Sequence, residues 1–85
     1  MSPLAPLILK ALRRWRRREE RAEGPHGAHW HGLGKIRQSL GKPDKDAARG
    51  AVIELVAAGQ VEVFEAANGV LYRSSAPLYL DMRAR

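Results

Sequence analysis

Cysteine is absent from all 85 residues of this chain, which excludes disulfide cross-links and thiolate metal centres. Aromatics are few, at two Trp, two Tyr and one Phe. Leu, Ile, Val and Ala are plentiful enough to fold one small domain, and a chain of this length has room for a single core. No apolar run approaches the ~18 residues of a membrane span. The opening MSPLAPLILKALRRW sets its apolar stretch before its basic cluster. That order is the reverse of a secretory signal, and no small-residue cleavage site follows, so a cytoplasmic, prokaryotic protein is expected. Reactive constellations are also lacking. Ser39, Ser74 and Ser75 have no histidine at motif spacing, and Gly32-Leu33-Gly34-Lys35 lacks the spacing and hydroxyl residue of a phosphate-binding loop. We expect neither an enzyme nor a cofactor, and no small-molecule substrate.

Acidic residues are outnumbered nine to fifteen, for a net charge of +6. The excess is unevenly placed. Residues 1–31 hold seven basic and three acidic side chains, residues 32–82 hold six of each, and Arg83 and Arg85 supply the rest. A basic balance of this kind points to a polyanionic partner.

One domain is expected over 1–85, divided into a basic N-terminal helix at 3–22, a central unit at 33–74 and a tail at 75–85. In the first segment Leu4, Leu7, Ile8, Ala11, Leu12 and Trp15 recur at helical spacing, Pro3 and Pro6 suit a first turn, and Gly24-Pro25 stops the helix. Glu19, Glu20 and Glu23 are expected to pair back onto the arginines before them. In the central unit Leu33, Ile36 and Leu40 define a short helix ended by Gly41. Lys42-Pro43-Asp44 makes a turn in which Asp44 caps a longer helix, and Ala48, Ala51, Val52, Leu55 and Val56 form that helix's apolar stripe up to Gly59. Val61 and Val63 begin a strand, and Val70 to Tyr72 return after a turn at Ala66-Ala67-Asn68-Gly69, where Asn-Gly tolerates positive φ at both positions. Leu78, Tyr79 and Leu80 are apolar enough to pack on the body or on a second subunit.

Helix, tight turn, helix and hairpin, with Ala48, Val52, Leu55, Gly59 and Val61 in the characteristic string, resembles the winged helix-turn-helix family. Gln60 departs from it, standing where an apolar residue is usual. The resemblance implies a mostly helical α+β fold of three helices with a two- or three-stranded antiparallel wing, and a small extra strand at Ala28–His31, with Trp30 in it. It also implies a DNA-binding regulator, or a replication or architectural factor, whose helix 44–59 enters the major groove of double-stranded DNA. Arg49 would read guanine with its fork, while Lys42 and Lys45 would meet phosphate. Lys35 and Arg37 would reach the flanking backbone, and Asn68 and Arg73 would serve in the wing, where Glu62 and Glu65 oppose phosphate. Arg13, Arg14, Arg17 and Arg18 in RRWRRR would clamp phosphates, each neutralised phosphate adding salt dependence.

The same motif also suits a protein-interaction subunit of a larger complex, and the arginine helix suits RNA. A homodimer is compatible with the apolar surfaces available, and no membrane partner is expected. His26, His29 and His31 could hold a metal ion, but no cysteine or well-placed carboxylate flanks them, and a polar loop is the simpler reading.

Overall fold

The structure is a computed structural model that describes residues 2–24 and 27–75. Pro25, His26 and the tail residues Leu78, Tyr79 and Leu80 lie outside the described residues. Three helices and a three-stranded antiparallel sheet follow in the order α1 (Ala5–Glu23), β1 (His31–Gly32), α2 (Leu33–Ser39), α3 (Lys45–Ala57), β2 (Val61–Ala66) and β3 (Gly69–Ser74). The sheet runs β1-β3-β2, so β3 is central. The fold is α+β with a winged-helix-like layout.

Helix α1 starts later than residue 3 because Ser2 serves the first turn from outside it. Its hydroxyl accepts from the Leu4 N–H at 3.2 Å and its carbonyl from the Ala5 N–H at 3.1 Å. The buried stripe of α1 is Ala5, Ile8, Leu9 and Leu12. This is rotated from the expected set, for Leu7 faces outward and is half exposed. At its other end Gly24 takes φ 96, which a side chain would resist. Gly27 then passes so close to α1 that an added Cβ would sit 2.6 Å from the Glu23 Cβ and 2.8 Å from the Glu19 carbonyl.

Helices α2 and α3 end in the same way. The Lys42 N–H bonds the Arg37 carbonyl at 2.8 Å, and the Gln60 N–H bonds the Leu55 carbonyl at 3.0 Å, the longer bond of a Schellman cap with Gly41 or Gly59 in the left-handed position. Lys42 itself has φ 57, the one positive φ outside glycine among the described residues. Asp44 caps α3, its carboxylate accepting from the Ala47 N–H at 3.0 Å.

One local expectation is corrected. The small strand is His31–Gly32, not Ala28–His31, and Trp30 precedes it, because His31 pairs with Tyr72 and Gly32 with Leu71. The hairpin turn is Ala66 to Gly69 as expected, with Ala66 opposite Gly69 and a positive φ at Gly69 and not at Asn68.

The core joins the three helices to the sheet. Ile8 and Leu12 of α1, Ile36 of α2, Val52 and Leu55 of α3 and Val61 and Tyr72 of the sheet are all buried together. No helix among the described residues is long and apolar enough to cross a membrane.

Candidate nucleic-acid interface

The arginine run of α1 divides into one inward residue and an outward group. Arg16 lies on the flank that meets the sheet, and its side chain is only 12% exposed. Its Nε donates to Glu20 Oε2 at 3.0 Å, and its Nη1 donates to Glu62 Oε2 at 3.2 Å and to the Ser74 carbonyl. Arg16 thus fastens α1 to both strands of the β2–β3 pair. Arg13, Arg14, Arg17, Arg18 and Arg21 are exposed. Arg14, Arg17, Arg18 and Arg21 centre roughly 180° round the helix from the buried stripe. They line a concavity of about 330 Å³.

The expected back-pairing forms at Glu20 and not at Glu19 or Glu23, and the glutamates of α1 do not neutralise this face. Of the arginines in α1, Glu20 pairs with Arg16 alone. Glu19 turns to the connector, its Oε1 accepting from the His29 N–H at 2.9 Å while Oε2 lies 2.9 Å from His31 Nε2. Glu23 Oε2 meets His29 Nε2 at 2.9 Å. Among the described residues, none of the five outward arginines has a carboxylate within ion-pair distance. Arg21 belongs to this group although the run RRWRRR stops short of it. Its i+3 and i+4 relation to Arg18 and Arg17 is the signal that identifies it.

The connector histidines are held as protein contacts. His31 is 6% exposed, with its ring centroid 4.8 Å from that of Trp15. Lys35 Nζ lies 3.2 Å from His31 Nδ1, which makes Nδ1 the acceptor and places the proton on Nε2, toward Glu19. The Nε2 approach to Glu19 is close in distance but off-line for a hydrogen bond. Burial therefore dominates and pushes the His31 pKa down, with Glu19 opposing it. His29 is exposed, and its hydrogen bond to Glu23 raises its pKa. The expectation that no carboxylate stands near these histidines is corrected, since Glu19 and Glu23 do. Among the described residues no three metal-capable side chains come together, and His26 lies outside them.

Helix α3 presents Lys45, Asp46, Arg49, Gly50 and Ile53 to solvent, and Lys42 is exposed in the turn before it. Lys45 and Arg49 share one flank. Glu54 lies on the other, roughly 140–180° away round the helix, where it accepts from the Ser2 N–H at 2.9 Å. Arg37, Lys35 and Arg73 are engaged with the protein. The half-buried Arg37 donates from Nε to the Pro43 carbonyl at 2.9 Å, bracing the turn. Lys35 sits 4.9 Å from the centroid of the Trp15 ring. Arg73 donates from Nε to Glu62 Oε2 at 2.8 Å and from Nη1 to the Ala28 carbonyl at 3.3 Å, with its guanidinium 4.2 Å from the Trp30 ring centroid. Arg73 therefore ties the wing to the connector. Glu62 is neutralised between Arg16 and Arg73 rather than standing free.

In the wing Asn68 and Glu65 are exposed, as are Val63, Phe64 and Val70. Phe64 packs on Trp30 with ring centroids 5.5 Å apart. Residues 63–72 contain no cation. Compared with known proteins, the chain matches no family model, no curated protein and no solved structure.

Proposed function

We propose that this chain is a small protein that binds double-stranded DNA, acting as a regulator or as a replication or architectural factor. The observation that carries the reading is the outward face of α1, where five arginines stand without acidic partners among the described residues. A duplex is a dense line of negative charge, and arginines that neutralise its phosphates gain affinity by releasing counterions. Helix α3 supports the reading more modestly. Its exposed flank offers Lys45 for phosphate and Arg49 as a fork for guanine, while Asp46 on the next face weakens the local field.

Titration of a short random duplex over a range of salt concentrations tests this. Affinity is expected to fall steeply with salt. Arg17→Gln with Arg18→Gln is expected to flatten that dependence by about 0.9 in logarithmic slope for each phosphate that goes unneutralised. Failure to bind any duplex at low salt overturns the reading.

A second reading rests on the wing. Val63, Phe64 and Val70 are exposed beside Glu65, which suits a protein partner in a larger complex, or a second copy of the chain, better than phosphate. Co-purification of a protein partner, with no duplex binding, would favour it. Tighter binding to a structured RNA than to a duplex of equal charge would instead assign the arginine helix to RNA.

A further inference from the structure

The two cationic surfaces of this chain stand on different helices, each turned outward from the core the helices share. Helix α1 buries Ala5, Ile8, Leu9 and Leu12 in the core it shares with α3, so the arginine face opposite that stripe looks away from that core. On α3, Glu54 takes the flank toward the start of α1, as its hydrogen bond from Ser2 fixes. Lys45 and Arg49 lie on the other flank, on the side of α3 away from Ser2. A straight duplex is about 20 Å across and does not wrap a body with extents of 40 × 26 × 24 Å without bending, which costs on the order of 1–6 kcal/mol for 40–90°.

We propose that one chain holds two duplex segments at once, one on the arginine face of α1 and one on the Lys45–Arg49 flank of α3, and so bridges DNA. This rests on the duplex-binding reading above. The arginine face is sequence-neutral. It offers forks to phosphate oxygens over Arg14 to Arg21, with Lys10 and Arg13 extending it, and nothing buried there shapes a pocket for a base. A membrane surface is the poorer occupant, because the apolar side that a surface-lying helix would insert is already in the core. The two cation groups have separate roles. The α3 flank, with its single fork at Arg49, is the surface able to discriminate between sequences. The α1 face tethers whatever second segment is near.

Bridging is read by capture. One duplex is immobilised, a second duplex carries a fluorophore, and the protein is added between them. Three proteins are compared: the unaltered chain, the quadruple Arg14→Gln, Arg17→Gln, Arg18→Gln, Arg21→Gln variant, and the double Lys45→Ala, Arg49→Ala variant. All six positions are exposed, and circular dichroism confirms that each variant folds. The unaltered chain is expected to retain the labelled duplex. Each variant is expected to bind a single free duplex while capture of the second falls by about tenfold or more. Capture that survives in either variant overturns the proposal, because a dimer using two copies of one surface would behave that way. Loss of all binding in one variant also overturns it, since a single composite surface would then carry the affinity. If the unaltered chain binds one duplex but captures no second, bridging fails and the duplex reading stands. If it binds no duplex, both fall.

Discussion

Arg16 and Glu62 lie 46 residues apart, yet the guanidinium of one donates to the carboxylate of the other at 3.2 Å. The same oxygen accepts from Arg73 at 2.8 Å. Helix α1, β2 and β3 are joined through this one carboxylate. An arginine inside a basic run and a glutamate on an alternating strand thus become structural partners.

Removing that carboxylate is expected to destabilise the fold. Glu62→Ala leaves Arg16 and Arg73 facing each other across partly buried ground, for a loss of about 1–2 kcal/mol. Urea unfolding measures it. A cycle with Arg16→Met isolates the coupling, and additive losses would show that Arg16 and Glu62 do not interact.

Neighbouring arginines are expected to behave in opposite ways. Arg16→Gln lowers the melting temperature and leaves the salt dependence of duplex binding nearly unchanged. Arg17→Gln leaves the melting temperature within about 2 °C and flattens the salt dependence. Identical behaviour of the two variants in both measurements contradicts the division of α1 into an inner and an outer face.

Gly27→Ala is expected to cost about 1–3 kcal/mol, because the new methyl group would meet the Glu23 Cβ and the Glu19 carbonyl at impossible distances. The connector must then lift from α1, taking His29 and His31 away from Glu19. A thermal melt equal to that of the unaltered chain rules out this close approach.

The Asp44 cap is expected to contribute about 0.5–2 kcal/mol, lost in Asp44→Ala and largely kept in Asp44→Asn, whose side-chain oxygen can still accept from Ala47. Equal stability of the two variants would show that the carboxylate serves no such bond.

Acid is expected to act on the two described connector histidines in opposite senses. His31 has a folded pKa below its ordinary value, 6.5, because it is buried. Its stabilising contribution is present above 6.5, and is lost as pH falls from there through the lower, folded pKa. His29 has a folded pKa above 6.5, because of Glu23. Its contribution is full below 6.5 and is lost as pH rises through the higher, folded pKa. A His29→Gln variant should therefore lose more stability on acidification than the unaltered chain, and a His31→Gln variant less. Urea midpoints measured from the neutral to the mildly acidic range check both, and parallel curves for all three proteins argue against the assignment.

Most of the central unit is legible along the chain. Leu33, Ile36 and Leu40, then Ala48, Val52 and Leu55, recur at helical spacing, and Asp44, Gly41 and Gly59 mark the ends by the backbone conformations they allow. These are local signals, and the elements form where they say. Spacing alone does not fix the apolar phase of α1, since Leu7 and Leu9 are equally apolar and only the position of α3 decides that Leu9 goes in. The hairpin is local by contrast: its turn falls at Ala66 to Gly69, where the Asn-Gly pair marks it, with Ala66 opposite Gly69.

The candidate site is legible as composition and not as arrangement. The arginine run, Lys45 and Arg49 stand out by residue type. That Arg16 and Arg73 are engaged with the protein depends on where Glu62 and Trp30 arrive. Period, caps and net charge are properties of neighbouring residues, so the chain itself determines helices, turns and a basic character. Which charges stay free, and which way each cationic surface looks, depends on segments tens of residues apart meeting in space. Only the packing of α1 on α3 and the sheet decides those, because it is what brings the carboxylates to some arginines and not to others.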